Sequence, residues 1–183
     1  MKHFRNITLL CEGSSDELFL RRFFAKHGVD KRAIIPVNYL RTSGSGEQYV
    51  RNHYPLELRR IRLKQNSGLV VMLDADTKNV EERKKELDEA CRERNVPARS
   101  KMDPVLIVVP KRNSETWYKF LTGETASEDE EKEWKKSNNH VLAKTAANAL
   151  YEICFIKQNL PESAPPSLKE ACVEWHVFNK LGA

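Results

Sequence analysis

Residues 68–76 read GLVVMLDAD, an unbroken run of apolar or small residues from Gly68 to Leu73 closed by Asp74 and Asp76. Such a run is too short for a helix and too uniformly apolar for a strand with one wet face, so it predicts a strand buried on both sides. Upstream, residues 6–12 (NITLLCE) repeat the pattern and end on Glu12; downstream, residues 104–109 (PVLIVV) repeat it again and are closed by Pro110. A fourth strand is expected over Ala33–Leu40. Helical segments alternate with these strands. Ser14 with Glu17 three residues later has the capping-box spacing, and Phe19, Leu20, Phe23 and Phe24 then recur on one side as far as His27-Gly28. A second helix follows the turn Ser43-Gly44-Ser45-Gly46, which reads as plain linker, and Pro55 should interrupt it. A solvated helix is expected from about Val80 to Arg94, with Glu81/Lys85 and Asp88/Arg92 at i,i+4 spacing, and a short one after the N-cap candidate Asn113.

The alternation β-α-β-α-β-α-β-α with doubly buried strands predicts a parallel sheet with helices on both faces. The reading is therefore an α/β domain over residues 1–121 and a helical extension over 122–183. The extension opens on a charge run, Thr122–Ser137, whose stretch from Glu128 to Lys136 reads as a solvated face. Amphipathic helices at 139–156 and 167–181 follow, joined by a Pro-rich link, and would cover the sheet or dock a partner.

The 183 residues are 40% apolar and 31% charged, with only 7 Gly and 8 Pro, which excludes collagen-like and extensively disordered chains. No apolar run reaches the roughly 20 residues of a membrane span. The N-terminus lacks a signal-peptide pattern, so a cytoplasmic protein with no membrane association is expected. The formal charge of +5 leans towards an anionic partner without demanding one. Cys11, Cys91, Cys154 and Cys172 form no CxxC pair and have no zinc-finger histidines, which predicts free buried thiols. The five histidines (His3, His27, His53, His140 and His176) pair with neither cysteine nor acid at a catalytic spacing, and Trp117 and Phe120 read as core.

In an open parallel sheet, ligands bind beyond the carboxyl ends of the strands. Glu12, Asp74 and Asp76 all lie at such ends, so they are expected to converge. Converging carboxylates raise one another's pKa, a cost most simply offset by a divalent cation, and hard oxygen donors select Mg2+ or Mn2+. Asp16, in the first turn of a helix, and Glu115 are further candidate ligands. Lys111 and Arg112, directly after the last strand, would stand on the same rim, where one could stabilise charge on a phosphate.

Taken together, LLCEGSSDELFL and VVMLDAD resemble the Toprim domain shared by topoisomerases, bacterial primases and the overcoming-lysogenization-defect (OLD) nucleases, over about residues 6–121. The resemblance implies a four-stranded, mostly parallel sheet, with Glu12 as general acid/base or metal ligand and Asp74 and Asp76 as Mg2+ ligands for phosphoryl transfer on nucleic acid. Where the family often has Gly three residues after the second Asp, this chain has Asn79, which tolerates the left-handed backbone of that turn. No nucleophilic-tyrosine domain, primase zinc motif or helicase region accompanies these motifs. Length and the segment VVPKRNSETWYKFL are similar to the small standalone OLD-like proteins of bacterial defence. That likeness implies a metal-dependent nuclease with catalytic Glu12, Asp74, Asp76 and Lys111, acting on DNA more than RNA. A separate ATPase partner and possible self-association are implied with it. Two alternatives stand beside this one. A non-catalytic interaction module would keep the fold while a partner ATPase supplies the activity. A haloacid-dehalogenase-like phosphatase is suggested by VVMLDADT, but Lys78 stands where that motif needs Thr or Val, and two strands precede it.

Overall fold

Strand pairing follows from the apolar runs. In the computed structural model, which describes residues 4–38, 45–129 and 139–182, β1 (Asn6–Cys11), β2 (Ile34–Pro36), β3 (Ser67–Met72) and β4 (Val105–Val108) form one sheet in the order β2-β1-β3-β4. Every pairing is parallel. Helices α1 (Ser14–Lys26), α2 (Gly46–Arg62), α3 (Val80–Glu93) and α4 (Ser114–Leu121) alternate with the strands, and α5 (Asn139–Tyr151) and α6 (Pro166–Leu181) complete the chain. This is the α/β architecture expected, a four-stranded parallel sheet flanked by helices with a C-terminal helical part, and it is compatible with a Toprim-like fold.

Because β1 connects outward to β2 and β2 then crosses back to β3, right-handed crossovers must place α1 and α2 on opposite faces. The two core clusters show this. One face packs Ile7, Leu9, Val70 and Met72 against Phe19, Phe23, Trp117 and Trp175; the other packs Leu10, Leu69 and Val71 against Tyr54, Leu58 and Leu87. The extension contributes Ala143, Leu150, Trp175 and Phe178 to the first cluster, so it covers the sheet. Gly68 makes this close cover possible, since a Cβ there would stand 2.5 Å from Phe178.

Several local expectations are corrected. Helix α1 begins at Ser14 with Gly13 as N-cap and no side-chain cap, so the Ser14/Glu17 box does not form. Strand β2 is only three residues long, ending at Pro36, which cannot donate to a ladder; Leu40 lies outside the described residues. Pro55 does not break α2. It sits buried on a face shared with Tyr54, Leu58 and Ile61, and that burial outweighs the roughly 3 kcal/mol cost of an internal proline. Ser45 is more than linker, because its side chain caps α2 by accepting from the Gln48 amide; Ser43 and Gly44 lie outside the described residues. Glu81 pairs with Lys84 rather than Lys85. Cys154 and Cys172 are joined in a disulfide, whereas Cys11 and Cys91 are free and buried as expected. Cys154 lies in the turn just beyond α5 and Cys172 in α6, 18 residues on, and it is the fold of the link between them that brings the pair together. Glu128 is 4% exposed rather than solvated, accepting from Trp117 Nε1 and the Ser167 amide; residues 130–136 of that run and His3 lie outside the described residues. Among the described residues no helix is long and apolar enough to cross a membrane.

Candidate metal centre at the carboxyl ends of the strands

The switch point of this sheet lies between β1 and β3, where the chain leaves in opposite directions and opens a crevice. Cys11 pairs with Met72 at the ends of these strands, and the Glu12 amide donates to Met72 O at 3.3 Å. Glu12 and Asp74 therefore emerge side by side. The Asp74 amide donates to the Glu12 carboxylate. Beyond β3 the chain keeps its pairing, with Ala75 N donating to Pro110 O at 2.8 Å and Asp76 N to Arg112 O at 3.0 Å. Asp76 itself has φ 55°, the left-handed conformation that Asp tolerates better than most residues. It turns the chain into α3. Asn79, expected to take that role, is instead an extended N-cap at φ −93°, closing a full capping box with Glu82.

The acids are crowded. Burial, Asp76 and Asp16 together push the Glu12 carboxyl up to about 8, opposed by Arg83 and the Asp74 amide. Burial, then Asp16, Glu12, Glu115 and Asp76, raise Asp74 well above the carboxylate range. Asp74 is only half-buried as a residue, yet its Oδ1 is sealed from solvent and has no hydrogen-bond partner among the described residues. A buried charged oxygen left this way is costly. The N-termini of α1, α2 and α4 all lie at this end of the sheet, and their positive dipole ends offset part of the repulsion. Gly46, first in α2, abuts Glu12 so closely that a Cβ would stand 2.8 Å from Glu12 O.

Asp16 is brought to the cluster but is already engaged: its Oδ1 accepts from Tyr118 OH at 2.9 Å, and Ser114 and the Gly13 amide also donate to it. Burial still raises its pKa, and burial together with Asp16 raises that of Tyr118. Glu115 accepts from Asn139 Nδ2 at 2.6 Å. Arg112 leans over the turn, its Nη1 on Asp76 O at 3.4 Å and its Nε on Glu128 O at 3.3 Å. Lys111 is not brought to the acids; its Nζ pairs with Asp129 at 2.6 Å. The charge run after α4 folds back onto this cation, a contact no motif announces.

Arg83 escaped the sequence reading, which placed it on a solvated helix face. It is 5% exposed and links three segments. Its Nε donates to Asp74 O at 3.0 Å, Nη2 pairs with Asp76 at 3.0 Å, and Nη1 pairs with Glu86 at 2.9 Å and Glu47 at 3.1 Å. Tyr118 and Ser114 were also missed, although their i,i+4 spacing on α4 places them on one face. His140, at the start of α5, has its Nε2 3.1 Å from Ser14 Oγ.

The donor set fits a hard divalent cation in kind: carboxylate oxygens from two neighbouring strand ends, one of them buried and unpartnered. The cage is not closed, because Asp76 faces Arg83. Among the described residues no three of His, Cys, Asp and Glu stand arranged to hold an ion.

A family model described as "Protein of unknown function (DUF3226)" matches residues 6–120, a span that contains every candidate acid and both candidate cations. No curated protein and no solved structure matches the chain.

Proposed function

The chain belongs to the DUF3226 family, and from that premise we propose that it is a divalent-metal-dependent nuclease of Toprim type, hydrolysing phosphodiesters in DNA more readily than in RNA. The observation that carries this reading is the placing of Glu12 beside Asp74 at the switch point, two adjacent carboxyls raised by burial and by neighbouring acids, with Asp74 Oδ1 buried and without a partner among the described residues. Glu12, Asp74 and Asp76 would hold Mg2+ or Mn2+. When bound, the ion supplies Lewis-acid stabilisation of phosphoryl oxygen and a more acidic water.

The chain's own residues do the rest. Glu12, beside the reacting phosphate, holds or moves a proton between water and the leaving oxygen. Asp16, tied to Tyr118 and Ser114, positions the Gly13 turn that carries Glu12, and Glu115 fixes the start of α5 through Asn139. Arg83 orients the Asp76 carboxylate, and Arg112 braces the turn beneath it. Lys111 reaches phosphate on leaving Asp129.

A non-catalytic module serving a partner ATPase is the second reading. Arg83 favours it, since Asp76 is satisfied without an ion. Cleavage of labelled single- and double-stranded DNA and RNA in Mg2+ or Mn2+, with and without any ATPase that co-purifies, separates the two. Metal-dependent cleavage by wild type, absent in Glu12→Ala and Asp74→Ala/Asp76→Ala, is expected. Equal inertness of all three with the partner present would leave the module. A cytoplasmic setting, and self-association, belong to the same proposal. The Cys154–Cys172 bridge weighs against a reducing setting, because such bonds are rare there, and thiol trapping in cells decides: reduced cysteines support the cytoplasm, an intact bridge overturns it.

A further inference from the structure

Helices α1 and α5 run parallel and in register. Ser14 meets His140 at their N-termini, and eight residues further along α1 Arg22 Nε donates to Asn148 Oδ1 at 3.0 Å, the two pairs having the same sequence offset of 126. The seam between them opens into a cavity of about 390 Å³, within the roughly 300–1,000 Å³ of ligand sites. Its floor includes Leu18 and Ile34, while Arg21 and Arg22 stand on the α1 wall, Lys144 on the α5 wall and Lys31 at the foot. Glu17 takes part of the charge of Arg21, at 3.4 Å. Among the described residues no acid pairs with Arg22, Lys31 or Lys144. Nothing in the nuclease reading uses these cations.

We propose that this groove is a track for a single nucleic-acid strand, whose phosphates lie between the cations of the two walls while its bases face the aliphatic floor. The proposal rests on the nuclease reading for its occupant. The head of the seam is Ser14, next to the Glu12-Gly13 turn, and Arg22 stands eight residues further along α1, about 12 Å at 1.5 Å per residue. A strand leaving the acid cluster therefore passes the cations within a few nucleotides. Size selects the form: a cavity of about 390 Å³ between two helices takes part of one strand and has no room for a duplex. Without an aromatic platform, the contact is with the backbone, so it should tolerate any sequence and weaken steeply with salt.

Fluorescence anisotropy of a labelled 20-nucleotide single-stranded DNA, titrated with the full chain in EDTA over a range of salt, tests this without requiring cleavage. Arg22→Ala/Lys144→Ala should weaken binding about tenfold at low salt and make the log–log salt slope shallower by about 1.4, or 0.7 per lost phosphate contact. Lys85→Ala/Arg94→Ala, which removes the same charge from α3 and its C-cap on the other face of the sheet, should leave both unchanged, with thermal melts checking that both variants fold. The groove is overturned if wild type does not bind, if both double variants lose affinity equally, if neither does, or if poly-glutamate displaces the DNA at equal charge concentration. Binding that follows the groove variants while cleavage is absent would sink the nuclease reading and leave the track. Cleavage that survives without groove-dependent binding would do the reverse.

Discussion

The two ends of the sheet treat their acids in opposite ways. At the amino ends of the strands, Asp103 leads into β4 and is clamped by Arg62, at 2.9 Å to Nε and 2.7 Å to Nη2, with the Ser100 amide donating at 2.7 Å. Arg62 completes its own set on the Pro97 and Ala98 carbonyls, and these bonds hold Asp103 below the usual carboxylate range. At the carboxyl ends, Glu12 and Asp74 are pushed upwards by burial and by neighbouring acids, Asp76 and Asp16 on Glu12 and Asp16 and Glu12 foremost on Asp74. The acid is fully paired where the fold needs a tie, whereas at the switch point Arg83 takes Asp76 but Asp74 Oδ1 is buried with no partner among the described residues. The mismatch is local destabilisation that stability alone does not explain, and a bound cation would remove it.

Four outcomes would sharpen or break this contrast. The largest effect is expected in cleavage: Glu12→Ala should lower the rate by about 10²–10⁴-fold while the protein stays folded, as befits a group that moves a proton, whereas Asp103→Ala should leave cleavage by the folded protein unchanged. Stability should show the opposite order. Asp103→Ala should cost about 2 kcal/mol in urea unfolding, the scale of a partly buried charge-assisted pair that loses one partner. Asp74→Asn, by contrast, should raise the melting temperature of the metal-free protein at alkaline pH, since it removes an acid whose ionised form burial and the neighbouring acids disfavour. A destabilised Asp74→Asn protein would mean that Asp74 is a structural acid like Asp103.

The pH dependence separates the ends further. The folded form of Glu12 binds its proton up to about pH 8, while the unfolded form releases it near 4.5. Folded chains then carry more protons than unfolded ones, so metal-free stability should fall as pH rises from about 5 towards 9, and Glu12→Gln should flatten that slope. Asp103 works with the other sign. Its depressed pKa gives stability that is complete above the unfolded value of about 3.9 and is lost as pH falls through the folded one, so Asp103→Asn should blunt acid unfolding and leave the alkaline limb alone. Thermal melts in chelator across pH 3–9 read both limbs.

How much of this was legible in the sequence differs between the same two ends. The acids of the carboxyl end stand out because each terminates a doubly buried strand, and a parallel sheet puts all strand ends on one edge. That β1 and β3 are neighbours, which makes Glu12 and Asp74 a pair rather than two isolated acids, depends on strand order and cannot be read from the apolar runs. The Arg62–Asp103 clamp spans 41 residues with no motif. Arg83 hides in a helix that reads as a solvated charged face, and only packing against Glu47 and Asp76 reveals it as buried. Lys111 read as a phosphate-facing cation because its strand position is right, but Asp129 holds the flexible end of its side chain. Backbone position follows from pattern, whereas the destination of a long charged side chain follows from tertiary neighbours.

The central claim is that the crowded acids at the switch point form a divalent-cation site, and calorimetric titration of the metal-free protein with Mn2+, alongside Asp74→Asn, tests it most directly. The account predicts saturable binding to wild type, with a rise in melting temperature, and its loss in Asp74→Asn. Equal binding by the two proteins, or none by wild type, would contradict it.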